Sequence, residues 1–516
     1  MSQDAERFRE TLGAPDRLDT RLGALTFADG VPSDETAARV YDHLDFVHAL
    51  NAYLDGFGGP STYAIRKGFH DIGVHDNEVL LFSELMGSES VFLTANADTV
   101  YFLAIIDLTS GPVVVETPPM ALGVFDDMWW GWIIDFGLPG PDRGEGGRYL
   151  LVPPGYDGPL PDSGYHIGHS RTSRALMLGR SFLTDDDPEP TADTIRRTTK
   201  VYPYSPGGAG TSVATLLGGG HGHLAPPATV PETVFVEGSG KAVNTVPPSD
   251  FGFFELMNEV VQDEPVGSTD PELLGQLAAI GIVKGKPFEP DERMRRTLQE
   301  AASVGDAASR SLFFDYRASE GFGFYEDSAW FNMLWVGGYT FETPPPLVTD
   351  AGIEPLPPTG ARTLHSRTSF LYAATGVSPA MCMRLTDIGS QYLMAVRDAD
   401  GDRLEGGRSY RMTLPKDIPA ARFWSVTLYD NQTRSMLQTP QRFPRAGSQS
   451  YPTPAATADA DGSTTLTFGP ERPLDSPEGN WIQTTEGLGW FPILRLYSPL
   501  ESFFDKTWQP SEIEPV

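Results

Sequence analysis

The sequence is poor in residue types on which several classes of protein depend. Only one of its 516 residues is a cysteine, Cys382, which excludes an intrachain disulfide and any metal site built from several thiolates. A buried structural thiol is expected there, because nothing beside it favours a reactive thiolate. The nine histidines form only short pairs, such as His166 with His169, and no third metal ligand is placed by the sequence. The cysteine and histidine residues therefore predict no metal site, and the sequence does not identify a cofactor.

Long apolar runs and positive charge are also scarce. No run of 18 apolar residues occurs and the first residues are charged, so we predict no transmembrane helix, no signal peptide and a cytoplasmic location. The chain has 69 acidic and 38 basic residues, and its net charge is −31. Such a surface repels nucleic acid and anionic membranes, and neither is expected as a partner. Solubility explains this charge most simply; attraction of a cationic ligand is the alternative.

Several catalytic signatures are missing. There is no Gly-x-Ser-x-Gly, no His-Glu-x-x-His and no Ser-x-x-Lys in the sequence. Ordinary serine hydrolases and zinc peptidases are therefore disfavoured, although a catalytic triad is defined by its geometry rather than by a motif. The glycine-rich segment Ser205–Gly222 has neither of the phosphate-binding patterns and is interpreted as a loop.

Glycine and proline are abundant, at 54 and 45 residues. Many short strands separated by turns would explain them, and this pattern is typical of a β-sandwich or barrel. Helical spacing is confined to Thr36–Leu54, Thr191–Thr199, the span 250–315 and Arg362–Gly376. We predict a helical segment at 1–60, a first β domain at 61–250, a helical connector at 251–340 and a second β domain at 341–516. The predicted strands are Val91–Thr94, Val100–Asp107, Pro112–Thr117, Trp129–Phe136, Arg148–Val152, His166–Ser170, Ala175–Arg180, Tyr392–Arg397, Arg408–Leu414, Phe423–Tyr429, Thr464–Phe468 and Ile493–Tyr497.

Polar side chains are concentrated before one predicted strand, at Asn96, Asp98, Thr99 and Tyr101. An amide, a carboxylate, a hydroxyl and a phenol within six residues are more than a scaffold requires. We predict a site in which Asp98 is a general base or metal ligand, Tyr101 is a hydrogen-bond donor or acid, and Asn96 and Thr99 position a ligand. The alternative is turn chemistry, because Asn and Asp accept local backbone hydrogen bonds. This strand is expected to form a hairpin with Pro112–Thr117.

Two further sets of residues are candidates for ligand binding. Trp130 and Trp132 fall on one face of a strand, where they either fill a core or form an aromatic wall for a carbohydrate or aromatic substrate. Arg408, Tyr410 and Arg495 lie on strands of the second β domain and are expected to line a cleft beside one face of Phe423–Tyr429. The aspartates that follow Arg397 imitate a calcium loop, but strands on both sides favour a hairpin turn.

The motifs resemble those of two families of domains of unknown function. Asn96-Ala-Asp98-Thr99-Val-Tyr101, Gly111-Pro-Val-Val-Val and Ile280–Phe288 resemble family 1254. In the second half, Asp398–Gly406, Phe423–Asp430 and Leu494–Tyr497 resemble family 1214. The resemblance implies two β-sandwich domains of jelly-roll kind with helices between them, and it implies an oligomer. No activity, cofactor or catalytic residue follows from it.

Together these observations predict a mainly β protein: two β-sandwich, jelly-roll-like domains joined by an α-helical connector. The expected function is an enzyme of hydrolase or lyase type acting on a small organic or sugar-like substrate. The alternative is a non-catalytic small-molecule-binding or assembly module. A homo-oligomer is expected, and the aromatic stretch Phe322–Tyr339 is either core or a subunit contact.

Overall fold

A computed structural model describes residues 3–205, 230–344, 347–349, 352–354, 361–382 and 384–516. Nearly all of the predicted glycine-rich loop Ser205–Gly222, and Pro345 and Pro346 of the expected linker, lie outside the described residues. The helices are α1 (Gln3–Leu12), α2 (Asp34–Gly56), α3 (Gly58–Asp71), α4 (Glu189–Thr198), α5 (Gly252–Asp263), α6 (Pro271–Ala279), α7 (Glu292–Phe314), α8 (Leu334–Gly337), α9 (Leu364–Ala373), α10 (Pro379–Cys382) and α11 (Glu501–Phe504), with 3-10 turns at Val266–Ser268, Ala318–Glu320, Gly338–Thr340 and Glu478–Asn480.

Strands occur along the whole chain. Those of the first half are β1 (Arg17–Thr20), β2 (Gly23–Ala28), β3 (Val31–Pro32), β4 (Val79–Leu81), β5 (Thr99–Asp107), β6 (Val113–Glu116), β7 (Ala121–Asp127), β8 (Trp132–Gly137), β9 (Arg148–Val152), β10 (His166–His169), β11 (Arg174–Phe182), β12 (Lys200–Pro203) and β13 (Phe235–Glu237). Those of the second half are β14 (Glu342–Thr343), β15 (Leu347–Thr349), β16 (Gly352–Glu354), β17 (Ala361–Arg362), β18 (Ser390–Met394), β19 (Tyr410–Leu414), β20 (Ala420–Asp430), β21 (Arg445–Gly447), β22 (Thr464–Gly469), β23 (Trp481–Gln483), β24 (Trp490–Pro499) and β25 (Glu514–Pro515). The structure is thus rich in β-sheet, with a larger helical share than a mainly β protein.

Two sheets build the first β region. One has the order β13-β4-β5-β11-β7-β8 and the other the order β10-β9-β6-β12. Side chains alternate between the two faces of β5, and one of these faces packs against the smaller sheet. On that face, Phe102 and Ile106 join a buried cluster shared with Val115 and Leu151 of the smaller sheet. Since β5 and β6 belong to different sheets, the predicted hairpin between them is wrong. An alternating pattern identifies a strand's faces but not its partners.

Two four-stranded sheets build the second β region, with the orders β18-β24-β20-β21 and β23-β22-β19-β25. Val426 and Leu494 of one sheet share a buried cluster with Met412 and Leu466 of the other. The predicted hairpin between β18 and β19 is also wrong, because they lie in different sheets. The turn between them follows the interpretation made from the sequence, since the Asp398 Oδ1 atom accepts hydrogen bonds from the amides of Asp400 (3.1 Å) and Asp402 (2.9 Å).

The two β regions face each other through one sheet each. On the first, Arg180 of β11 lies directly opposite Tyr101 of β5; on the second, Tyr392 of β18 lies directly opposite Arg495 of β24. The Arg180 Nη2 atom donates a hydrogen bond of 2.9 Å to the Tyr392 hydroxyl, so these two faces meet. The polar face of β20 is part of the same contact, since Tyr429 donates from its hydroxyl to the Ala95 carbonyl.

Helices from distant parts of the chain pack together beside this contact. Side chains of α2, α5, α7 and α9, including Tyr53, Phe253, Phe313 and Tyr372, pack in a single cluster that also holds Phe491 of β24. The predicted connector is therefore packed with α2 of the N-terminal segment rather than standing alone. Its helix starts follow capping rules: Asp270 and Asp291 accept hydrogen bonds from the amides of the first turns of α6 and α7.

The segment Gly56–Pro60 both ends α2 and begins α3. Proline is tolerated in a first helical turn, where its missing N–H would have had no helical partner. The glycines have a packing reason: a Cβ atom at Gly58 would lie 2.8 Å from the Trp129 carbonyl oxygen, and one at Gly59 would lie 2.7 Å from the Trp129 ring.

The aromatic stretch Phe322–Tyr339 is largely buried within the chain. Trp330 and Phe331 are fully buried, and Phe324, Tyr325 and Leu334 are at most 7% exposed. Core packing therefore explains these side chains, and they offer no broad apolar surface for a subunit contact. Among the described residues, no helix combines the length and apolar character needed to cross a membrane.

Candidate functional site

A pocket lies where the two β regions meet, and we call it the interdomain pocket. It has a volume of about 130 Å³. The first β region contributes Tyr101, Leu122, Val124, Leu178 and Arg180, and the second contributes Ser390, Tyr392, Met394, Ile493 and Arg495. The remaining wall comes from connecting segments and from α8, α9 and α10, with Phe92, Asn332, Leu334, Phe370, Gly376, Ser378 and Met381 among its residues. Most of the lining is apolar, so the few polar groups define its chemistry.

Arg180 is the central polar group of the interdomain pocket. Its guanidinium group donates from Nη2 to the Ser390 Oγ atom at 2.8 Å and to the Tyr392 hydroxyl at 2.9 Å. The Ser390 and Tyr392 oxygens are themselves 2.6 Å apart. These two residues alternate along β18 and so project from the same face. The three side chains therefore form one hydrogen-bonded cluster contributed by both β regions.

The charge of Arg180 changes the acidity of this cluster. Burial raises the pKa of Tyr392, but the Arg180 charge and hydrogen bonds from Ser390 and Arg180 outweigh it, so the pKa lies below its ordinary value of 10.0. Burial lowers the pKa of Arg180, but nearby tyrosine hydroxyls outweigh this and raise it, so the guanidinium group stays charged. In the part of the chain that the structure describes, no ion pair joins Arg180 to a carboxylate.

Arg495 is the second cation of the interdomain pocket. Its Nη2 atom donates to the Thr94 carbonyl oxygen at 2.6 Å, and its guanidinium carbon lies 5.8 Å from the centre of the Tyr392 ring. Its Nε and Nη1 atoms are buried and form no hydrogen bond with the described residues. Asn332 supports the same wall by donating from Nδ2 to the Tyr392 carbonyl oxygen at 2.9 Å.

The polar residues at Asn96–Tyr101, where β5 begins, have different surroundings in the fold. Tyr101 lines the interdomain pocket, where its hydroxyl accepts a 2.8 Å hydrogen bond from the Asn96 Nδ2 atom and keeps its own proton for another acceptor. Asn96 Oδ1 in turn accepts from the Asp98 amide at 2.9 Å and from the Thr99 hydroxyl at 3.0 Å. Turn chemistry therefore accounts for Asn96 and Thr99, while Tyr101 is available to a ligand.

Asp98 lies behind the pocket wall and is fully buried, so it does not open into the interdomain pocket with Tyr101. Its Oδ1 atom is 2.8 Å from Arg445 Nε in an ion pair whose side chains are both 0% exposed. Its Oδ2 atom accepts from the Ser425 hydroxyl at 2.6 Å and from the Tyr497 hydroxyl at 3.1 Å. All three partners belong to the second β region, so this carboxylate links the two regions.

Of the remaining candidate residues, Arg495 lines the interdomain pocket and the others lie elsewhere. Trp130 and Trp132 line a different cavity of about 530 Å³. Arg408 is exposed, and its guanidinium carbon lies 5.7 Å from the centre of the Tyr410 ring. Tyr410 is buried in the core of the second β region, where its hydroxyl accepts from the Glu405 amide at 3.1 Å. A shared cleft of Arg408 and Tyr410 with Arg495 is therefore wrong. Tyr410 on β19 and Arg495 on β24 belong to different sheets, and Arg408 lies in the exposed turn before β19.

Sequence reasoning missed Arg180, Ser390, Tyr392 and Asn332. Arg180 had a detectable signal, since it is the only charged residue after the first position of the otherwise apolar strand Arg174–Phe182. Ser390 and Tyr392 also had one, because they place hydroxyls at alternate positions of a short strand. Asn332 had none, since its role depends on how a connecting segment packs.

Buried carboxyl groups lie close to the pocket wall. Asp126 Oδ2 accepts from the Val377 amide at 2.9 Å, and burial raises the pKa of this carboxyl group. Burial also raises the pKa of Asp135 to about 7, against opposing hydrogen bonds from Trp132 and Ser378. Within the described ranges, no group of three or more His, Cys, Asp or Glu side chains is arranged to hold a metal ion.

Comparisons with known proteins identify two regions of the chain. A family model described as protein of unknown function (DUF1254) matches residues 77–203, and one described as protein of unknown function (DUF1214) matches residues 389–501. The first region contains Tyr101 and Arg180, and the second contains Ser390, Tyr392 and Arg495. No curated protein matches the sequence.

Two crystal structures are similar to this chain. The VPA0106 protein from Vibrio parahaemolyticus is 18% identical, with a TM-score of 0.51, and the match covers 92% of this chain and 100% of that one. That likeness concerns the fold alone. An uncharacterized protein from Burkholderia cenocepacia is 12% identical over 94% of this chain and 90% of that one, and its TM-score of 0.37 is too low for a structural argument.

Proposed function

For a chain that joins a DUF1254 domain to a DUF1214 domain, we propose an enzymatic function in the interdomain pocket. The enzyme acts on a small organic molecule with a carboxylate or carbonyl oxygen, and Tyr392 transfers the proton. One observation carries this proposal: the half-buried guanidinium group of Arg180 holds the Tyr392 and Ser390 hydroxyls in a largely apolar pocket. Buried polar clusters that alter acidity are typical of active sites.

Pocket size and charge define the substrate class. A cavity of about 150 Å³ in a protein core holds benzene, so a pocket of about 130 Å³ suits a molecule of similar size. A buried cation without a carboxylate partner is costly, and an oxyanion beside Arg180 would offset that cost. A small carboxylate with an apolar body meets both requirements, and a polyhydroxylated sugar suits this apolar lining poorly.

This geometry supports a lyase reaction as the first candidate. The substrate carboxylate lies against Arg180, and the Tyr392 oxygen, as phenolate, removes a proton from the carbon next to it. The electrons of the broken C–H bond form a carbon–carbon double bond as the leaving group departs with its own bonding pair. Tyr392 then returns the proton to the leaving group. Arg180 favours both the phenolate and the charge that develops on the carboxylate, and Tyr101 donates a further hydrogen bond.

Hydrolysis is the second candidate, and the 2.6 Å separation of the Ser390 and Tyr392 oxygens favours it. Here Ser390 loses its proton to the Tyr392 phenolate and attacks an ester carbonyl carbon. Tyr392 passes that proton to the departing alcohol, and water then releases the acyl group from Ser390. Both reactions require Tyr392, but only hydrolysis requires the Ser390 oxygen as a nucleophile.

We also propose the sheet architecture, the oligomeric state and the cellular location that the sequence predicts. Each pair of facing sheets is proposed to be a β-sandwich of jelly-roll kind, supported by the buried clusters that each pair shares. Catalytic participation of Asp98 would be indirect, through Tyr497 and Arg445. A homo-oligomer and a cytoplasmic location rest on the sequence and on the family resemblance, and light scattering of the purified chain tests the first.

Two assays on the intact chain test the enzyme proposal. In D₂O, proton NMR follows exchange of the hydrogen next to the carboxylate in small carboxylic acids, and absorbance follows p-nitrophenol release from p-nitrophenyl acetate. Tyr392→Phe should lower the observed rate by roughly 10²–10⁴-fold, the range typical of a lost acid–base group. Tyr410→Phe is the matched control, because it removes a buried hydroxyl outside the pocket and should leave the rate unchanged.

Each outcome has a defined meaning. Exchange that survives Ser390→Ala indicates a lyase, and p-nitrophenol release that Ser390→Ala abolishes indicates a hydrolase. Binding of benzoate that is lost in Arg180→Gln, with neither reaction, indicates the non-catalytic binding module instead. Turnover that Tyr392→Phe leaves intact, or the absence of both turnover and carboxylate binding, would overturn the proposed site.

A further inference from the structure

We propose a second binding site, independent of the interdomain pocket, for an uncharged ring-shaped molecule rich in hydroxyl groups, such as a mono- or disaccharide. It lies in the cavity of about 530 Å³ mentioned above, which we call the aromatic cavity. Trp129, Trp130, Trp132 and Tyr339 line one part of it, and Gln276 and Thr340 are among its polar residues. Its volume falls within the range of roughly 300–1,000 Å³ that is usual for small-molecule sites.

Trp129 and Trp130 lie on one tight turn, and Trp132 begins the strand β8 that follows it. Asp127 organises it, because its Oδ1 atom accepts from the amides of Trp129 at 2.8 Å and Gly131 at 2.7 Å. Trp130 has a φ angle of 58°, in the left-handed region that bulky residues rarely adopt. Arg171 pairs with the same Asp127 carboxylate at 2.7 Å. The turn therefore maintains a strained backbone, a feature that clusters at ligand sites.

The orientation of the aromatic rings is fixed by further contacts. Trp129 donates from Nε1 to the Ser268 hydroxyl at 3.0 Å and packs against Gly59, where a side chain would collide with its ring. Trp132 and Tyr339 meet edge to face, with ring centres 5.4 Å apart. Rigid aromatic walls present contact area to a ligand at little entropic cost.

Each of the three arginines that line the aromatic cavity is paired with a carboxylate. Arg367 pairs with Asp55 at 2.6 Å, and Arg362 pairs with Glu342 at 3.2 Å. Arg171, which also lines the cavity, is committed to Asp127. Asp270 and Glu272 also line the cavity and form no ion pair with the described residues, so carboxylates are in excess and an anionic ligand is disfavoured. An uncharged ligand leaves the three ion pairs intact. In the interdomain pocket, by contrast, the central Arg180 forms no ion pair with a described carboxylate.

The polar side of the aromatic cavity has oxygen atoms that can accept hydrogen bonds from a ligand. The Gln276 Oε1 and Thr340 Oγ1 atoms are buried and have no hydrogen-bond partner among the described residues. Unpaired buried oxygens cost free energy, and ligand hydroxyls would supply the missing donors. The C–H faces of a saccharide ring pack against aromatic rings while its hydroxyls bond at the edges. A saccharide therefore matches both sides of the aromatic cavity, and a purely apolar aromatic molecule matches only one.

Isothermal titration calorimetry of the full chain with glucose, maltose and cellobiose tests this inference. Glucuronate and phenol serve as the charged and the apolar comparison compounds. We expect at least one neutral saccharide to bind, and Trp132→Ala and Gln276→Leu each to weaken it about tenfold, a loss of ~1.4 kcal/mol. Trp481→Ala is the matched control, since Trp481 is a half-buried tryptophan of the distant strand β23.

Circular dichroism and the melting temperature establish that each variant is folded. Because Gln276→Leu removes only a polar end group, it decides the question if Trp132→Ala does not fold. Tyr392→Phe should leave saccharide binding unchanged, so this inference and the proposed enzyme function fail separately. The inference is overturned if none of the three saccharides binds, if only glucuronate or phenol binds, or if both cavity variants bind as tightly as the unmodified chain.

Discussion

Replacement of Asp98 by asparagine should destabilise the protein strongly. The carboxylate and its partner Arg445 are both fully buried and 2.8 Å apart. The change nearly preserves the shape but leaves the Arg445 guanidinium group buried without its counter-charge. Removing one member of such a pair typically costs about 3–5 kcal/mol. Because Ser425 and Tyr497 can still donate to an amide oxygen, the lower half of that range, ~3–4 kcal/mol, is expected.

Urea unfolding followed by tryptophan fluorescence and circular dichroism measures this loss. Asp107→Asn is the matched control at the other end of β5, which Asp98 directly precedes. Asp107 is only half-buried and accepts one local hydrogen bond from the Thr109 amide, so the change should cost less than about 1 kcal/mol. The double variant Asp98→Asn with Arg445→Met should recover part of the loss, since no unpaired charge remains. If Asp98→Asn costs no more than Asp107→Asn, the role of Asp98 as a buried link between the two β regions is refuted.

Two further predictions concern buried acidic groups. Burial raises the pKa of Asp135 from 3.8 to about 7, so the folded state favours the neutral carboxyl group. The stability that this group contributes is therefore lost as the pH rises from about 4 to 7. The loss amounts to at most roughly 4 kcal/mol. Asp135→Asn should therefore gain stability over the unmodified chain between pH 5 and pH 8 in urea unfolding, and identical pH profiles would contradict this. Burial raises the pKa of Cys382 to about 12, so Ellman's reagent should not react with the folded chain at pH 8 but should titrate one thiol in denaturant; rapid reaction of the native protein would contradict the assigned burial.

Local patterns in the sequence predicted individual strands well. The strand expected at Val100–Asp107 is observed at Thr99–Asp107, and that expected at Phe423–Tyr429 is observed at Ala420–Asp430. The alternation of side chains also distinguishes the two faces of the strand Phe423–Tyr429 correctly, since Val426 and Leu428 on one face are in the core of the second β region. Pairing between strands was not predictable in the same way, because β-sheet contacts join segments far apart in the chain.

The candidate site shows the same limit. Tyr101 and Arg495 were selected for their residue types and do line one pocket. Their common pocket depends on two sheets meeting face to face, and no local pattern specifies that contact. Arg180 was overlooked because a single arginine in an apolar strand was counted as part of a core strand. Such a lone charge is costly to bury without a partner, and it is the clearest signal of a site that the sequence contained.

The contact between the two β regions has a consequence for dissection of this protein. Asp98 and Arg180 belong to the first half of the chain, while Ser390, Tyr392 and Arg445 belong to the second. A fragment containing only one half would expose charges that are buried in the intact chain, and it would hold only half of the interdomain pocket. A chimera with the second half of a distant relative would face the same difficulty unless the partners of both Asp98 and Arg180 were transplanted with it. The unit for expression, engineering and assay is therefore the tandem chain, and complementation between separately produced halves would report directly on formation of the pocket.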